Sequence, residues 1–154
     1  MKEAFEINGL KLSRDGRRVL DIEHAAIPEG RVTVIVGPNG CGKTTLLECL
    51  NGLQRPDEGE VLYFGGALNT EAARGMTLVS QRTYLFDGTV GWNVSYGLRA
   101  RGRRDCGDAV ASALHAVRLD GFENRNAEKL SGGEAKRVAV ARARVRAAAE
   151  VDAG

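Results

Sequence analysis

Two short stretches combine residue types and spacings that can do chemistry. The first is GPNGCGKTT, Gly37 to Thr45, with the spacing G-x-x-x-x-G-K-T. Gly37, Gly40 and Gly42 let the backbone curl so that successive N–H groups point at one anion. Pro38, Asn39 and Cys41 complete the loop, and a helix starting near Gly42 adds its positive dipole end. Lys43 brings a full charge for terminal phosphates. The Thr44 hydroxyl is a ligand for the Mg²⁺ that rides on a nucleotide, and Thr45 offers a further phosphate hydrogen bond. Cys41 reads either as a reactive thiol at a helix start or as a small residue filling the loop.

The second stretch is LSGGE, Leu130 to Glu134. Ser131 followed three residues later by Glu134 is a capping box, so a helix begins here. Gly132 and Gly133 leave the backbone N–H groups of that start unshielded, which makes a second anion-binding helix end.

The elements that must position these residues are legible from their periodicity. Ala4–Ile7, Arg18–Ile22 and Gly59–Phe64 read as short strands. Arg31–Val36 (RVTVIV) is β-branched, ends at a glycine, and is expected to be a buried strand of a parallel sheet. Lys43–Leu50 follows as a helix with an apolar stripe of Leu46, Leu47 and Leu50. Met76–Val79 reads as another buried strand. Val90 to Val117 reads as two helices separated by the glycines and arginines of GLRARGRRD, in which RARGRR reads as a solvated turn. Val110, Leu114 and Val117 share a face in the second, and Asp105 or Asp108 is placed to cap it. A last helix runs from about Gly132, with Val138, Ala141 and Val145 as its seam. Strands around a helical insert point to an α/β architecture.

Composition narrows the class. The chain has 154 residues, 43% hydrophobic and 27% charged, as a globular domain does. A net charge of +2 gives no ground for a nucleic-acid partner. Cys41, Cys49 and Cys106 lack metal-ligand spacing and make an odd count for disulfides. The N-terminus carries charges throughout and is not a signal peptide, and no apolar run approaches the roughly 20 residues that span a bilayer.

Taken together, the motifs resemble the ATP-binding cassette (ABC) ATPases. GPNGCGKTT looks like their Walker A loop, LSGGEAKRVAVARA like their signature motif, and Gln81 in TLVSQ sits where they carry the Q-loop glutamine. NGLQRPDEGEVLYFGG also follows the pattern, so the resemblance runs from about Phe5 to Ala143. It implies an α/β P-loop NTPase fold with N-terminal antiparallel strands, a parallel core sheet and a helical subdomain. Residues 1–80 would form the core with the P-loop, 81–129 the Q-loop and helical subdomain, and 130–146 the signature motif and its helix; 147–154 would be an atypical tail. It also implies ATP and Mg²⁺, the metal held by Thr44 and Gln81, and a head-to-tail dimer with a second ATP-binding domain. In that dimer Ser131, Gly132 and Gly133 would meet the γ-phosphate of the partner's ATP. Arg14 falls near the position where the family stacks an aromatic ring on adenine; it is either that residue or a solvated loop arginine.

The pattern F-x-G-T-V-x-x-N-V-x-Y-G-L-x-x-R-G resembles the ATPase subunits of prokaryotic importers, tungstate-type oxyanion importers above all. The implied partner is a membrane permease, and the implied place is the cytoplasmic face of the cell membrane. Tyr84, Leu85, Phe86, Trp92 and Tyr96 either dock a permease helix or pack inside the subdomain. Lys136, Arg137, Arg142, Arg144 and Arg146 make the last helix basic, which is read as a charged outer face rather than a nucleic-acid surface.

The family implies an ATP hydrolase, but its Asp-Glu strand end and downstream histidine have no counterpart here. His24 and His115 stand in the wrong order, and Asp152 is not followed by glutamate. No catalytic residue is identifiable, and fast hydrolysis is not expected of these residues alone. The sequence leaves open an importer subunit seen in its N-terminal portion, a truncated non-catalytic nucleotide-binding remnant, and a non-transport ABC ATPase.

Overall fold

The structure, a computed structural model, describes residues 2–151. Asp152 and the Arg146 side chain lie outside the described residues. The chain divides into two compact units, Met1–Leu78 and Val79–Gly154.

The first unit is built on a four-stranded antiparallel sheet in the order β2-β1-β3-β4. β1 (Glu3–Arg14) and β2 (Arg17–Pro28) form a hairpin. Its Asp15-Gly16 turn has both residues at positive φ, 50° and 73°, as a turn matched to strand twist requires. β3 (Glu58–Tyr63) pairs with the other edge of β1 and carries a stub, β4 (Gly66–Ala67). Strict alternation would point Ile7 and Leu10 to opposite faces. The register shift between Asn8 and Lys11, centred on Gly9 at φ 59°, turns both inward beside Leu12. Gly59 answers that bulge: a Cβ there would sit inside the Gly9 backbone.

α1 (Lys43–Leu50) lays Thr45, Cys49 and Leu50 on this core. Of the expected stripe, Leu46 is partly buried, while Leu47 lies further round the helix and is exposed. A short helix, α2 (Thr70–Arg74), follows, capped by Asn69.

Two expected strands are not formed. Arg31–Val36 joins no sheet, and Val32, Val34 and Val36 are 94%, 74% and 88% exposed instead of buried. Met76–Val79 is likewise irregular. A β-branched run becomes a strand only where a neighbour bonds its N–H and C=O groups, and none of the described residues pairs with either segment. The antiparallel strands and the helical part of the expected fold are therefore present, and the parallel core sheet is not formed among the described residues.

The second unit is helical. α3 (Val90–Arg99), α4 (Gly107–Ala116) and α5 (Gly132–Val151) surround one core. α3 contributes Val90, Val94 and Leu98, α4 contributes Val110 and Leu114, and α5 contributes Val138, Ala141 and Val145, the seam expected of it. Val117, just beyond α4, packs against the same core. Neither Asp105 nor Asp108 caps α4: its N-cap is Cys106, whose thiol donates back to the Arg103 carbonyl, and Asp108 sits in the first turn. Among the described residues no helix is long and apolar enough to cross a membrane.

Candidate functional site

In the first unit, Gly37–Gly42 forms an open, irregular loop that runs directly into α1. Gly40 and Gly42 take φ values of 80° and 92°, the left-handed region that favours glycine. Gly42 is required twice over. It is the N-cap of α1, and a Cβ on it would come within 2.8 Å of Leu20 Cδ2 and of the Val19 carbonyl on β2. No side chain caps this helix start, so its N–H groups face the loop opening without a protein acceptor from that source. The first helical bond runs from Leu46 N–H to Gly42 O at 2.8 Å.

Lys43 folds back across the loop. Its Nζ donates to Gly37 O at 2.8 Å and Pro38 O at 2.7 Å and lies 3.7 Å from Cys41 Sγ. Among the described residues it has no carboxylate partner, so a full positive charge is held at the loop by neutral carbonyls. Thr44 is exposed in the first turn, whereas Thr45 is buried against the sheet. Cys41 is a free, exposed thiol, and Cys49 is buried, which pushes its thiol up. Arg14 is tied to α1: its Nη2 donates to Glu48 Oε2 at 3.0 Å.

Gln81, Ser131, Gly132 and Gly133 stand in the second unit, all exposed. The capping box is fully made. Ser131 N–H and Ser131 Oγ donate to Glu134 Oε2 at 2.8 and 2.6 Å, and Glu134 N–H donates to Ser131 Oγ at 3.3 Å. The Ser131 hydroxyl, then the Ser131 N–H, hold the Glu134 carboxyl below the usual carboxylate range. Gly132 and Gly133 follow as the first residues of α5.

The aromatic residues of this unit divide. Leu85 packs against the core, while Tyr84, Phe86, Trp92 and Tyr96 stay at the surface. Phe86 lies 5.4 Å from Trp92 and 4.5 Å from Tyr96, and Trp92 lies 5.5 Å from Tyr96, so three rings make one patch. Sequence reasoning missed what holds it. Asn93, fully buried, accepts from Phe86 N–H at 2.7 Å and donates to Phe86 O at 2.9 Å and Thr89 O at 3.0 Å. The available signal was a polar residue on the apolar Val90–Val94 face.

The fold and the loop place this chain among α/β proteins that present a glycine-rich loop at a helix start. It matches the ABC transporter family over residues 20–149 and belongs to that family. It is 38% identical over 139 residues to the tungstate uptake system ATP-binding protein TupC of Peptoclostridium acidaminophilum, covering 89% of this chain and 64% of that protein. It is 39% identical over 147 residues to the Fe(3+) ions import ATP-binding protein FbpC 1 of Pectobacterium atrosepticum, covering 92% of this chain and 42% of that one. Its structure matches cbiO1 from Clostridium perfringens, part of the ABC transporter complex cbiONQ, with a TM-score of 0.82 and 26% identity, over 95% of this chain and 62% of that one. The chain thus spans less than two thirds of the length of each of these relatives.

Proposed function

We propose that the chain is the ATP-binding part of an ABC importer subunit, working at the cytoplasmic face of the membrane beneath its permease. The observation that carries the reading is Lys43, held across an uncapped helix start by Gly37 O and Pro38 O. Gly37, Pro38, Asn39, Gly40, Cys41, Gly42, Lys43, Thr44 and Thr45 form the triphosphate site. Incoming phosphate oxygens exchange for the two carbonyls as acceptors of the Lys43 ammonium, and the N–H groups at the start of α1 take the remainder.

Thr44, exposed in the first turn of α1, offers a hydroxyl oxygen, a hard donor of the kind Mg²⁺ takes. When bound, the ion neutralises charge on the terminal phosphates. Ser131 and the Gly132–Gly133 backbone are the surface for the nucleotide of a second ATP-binding domain in a head-to-tail dimer. The Phe86, Trp92 and Tyr96 patch, with Tyr84, is the surface for a permease helix. The tungstate and Fe(3+) relatives support import as the direction.

Titration of the purified chain with Mg-ATP tests the site. Lys43→Ala should weaken binding by at least about tenfold, the loss of one charge-assisted contact to phosphate, with helix content unchanged by circular dichroism. Equal affinities in the two proteins would remove the site.

A further inference from the structure

We propose that Arg142 is a positioning residue that locks the exposed aromatic patch to the helix carrying LSGGE. Arg142 belongs to α5, which begins directly after Ser131. Its Nη2 donates to the Tyr84 carbonyl at 3.1 Å across 58 positions of sequence. Its guanidinium carbon lies 5.7 Å from the centre of the Phe86 ring, whose other neighbours are Trp92 and Tyr96. One planar cation thus fixes both the backbone at Tyr84 and the ring at Phe86, a pair of contacts that a lysine ammonium cannot reproduce together.

The segment before LSGGE is joined to the start of α3 by backbone hydrogen bonds, with Phe122 and Leu130 packed on the same core. Gly91 N–H donates to Glu123 O at 2.8 Å, Val90 N–H to Arg125 O at 2.9 Å, and Ala127 N–H to Gly88 O at 2.9 Å. The motif is therefore bracketed: this ladder ties the chain ahead of it to the start of α3, and Arg142 ties the helix behind it to Tyr84 and Phe86. A force on the patch and a shift of the Ser131 turn become one motion. The role of that link in transport rests on the importer reading above; the link itself does not.

Trp92 is the single tryptophan of the chain, so its emission reports on the patch without a label. The test uses the full chain without nucleotide and compares wild type, Arg142→Ala, Arg142→Lys and Arg144→Ala, the last removing an exposed charge from the same helix. Arg142→Ala should raise acrylamide quenching of Trp92 about twofold and speed amide exchange at Phe86 by up to about tenfold, as loss of one hydrogen-bonded restraint does. Arg144→Ala should match wild type in both. If Arg142→Ala and Arg144→Ala are indistinguishable, the proposal is overturned. Arg142→Lys supplies the same readouts should the alanine variant fail to fold, and wild-type values in it overturn the proposal equally. These measurements need neither ATP nor a permease, so they can fail while nucleotide binding stands, and the Lys43→Ala titration can fail while they stand.

Discussion

Asn93 holds Phe86 by both of its backbone groups, accepting from the Phe86 N–H at 2.7 Å and donating to the Phe86 carbonyl at 2.9 Å. A helix side chain thereby does for an irregular segment what a neighbouring strand would do in a sheet. The surface position of the Phe86 ring depends on a residue that is itself wholly buried.

Asn93→Ala leaves the two Phe86 groups without these partners, and part of that site is closed to water. The cost should be about 1–3 kcal/mol, read by urea denaturation. Trp92 emission in the native baseline should shift as Phe86 loosens. A variant as stable as wild type would show that water replaces the asparagine without loss.

Gly42 and Gly40 both take positive φ, yet their substitutions should differ. At Gly40 an added Cβ meets nothing within 4 Å, so Gly40→Ala bears the backbone strain alone, roughly 1 kcal/mol. At Gly42 the same methyl also collides with Leu20 and with the Val19 carbonyl. Gly42→Ala should lose clearly more stability in thermal melts and displace the start of α1, with nucleotide binding falling alongside. Equal melting temperatures would mean that β2 yields to the methyl.

The capping box should make the helix start sensitive to acid. The Glu134 carboxyl is held below its ordinary value of 4.5 by Ser131. A depressed carboxylate contributes stability that is complete above its unfolded value and is lost as pH falls through the folded one. The stability difference between wild type and Glu134→Gln should therefore be full at neutral pH and shrink below 4.5. Denaturation curves across that range test it; a difference independent of pH would mean that the carboxylate charge plays no part.

Val32, Val34 and Val36 are exposed on a segment that joins no sheet. An apolar β-branched run of this kind recruits strands from other molecules. Val34→Lys should reduce concentration-dependent light scattering while leaving the melting temperature unchanged. Unaltered scattering would place the association elsewhere on the surface.

Local chemistry was legible in the sequence because it depends on neighbours in the chain. The Ser131–Glu134 box and the Val138–Ala141–Val145 seam follow from spacings of three, four and seven residues, and the start of α1 and the split between α3 and α4 from the glycine-rich stretches that precede or divide them. The order of glycines, lysine and threonines in Gly37–Thr45 specified the loop in the same way. What sequence could not decide is what needs a distant partner. RVTVIV has the composition of a buried strand, but composition supplies no hydrogen-bonding neighbour, and the segment is exposed. Arg142 reads as one more charge on a basic helix; only packing turns it toward Tyr84 and Phe86. Gly42 reads as a loop glycine, and only the approach of β2 adds a steric reason for it. Short-range bonds and caps are set by adjacent residues, whereas ladders, clasps and close approaches are set by segments tens of residues away, brought together by burial of the two cores.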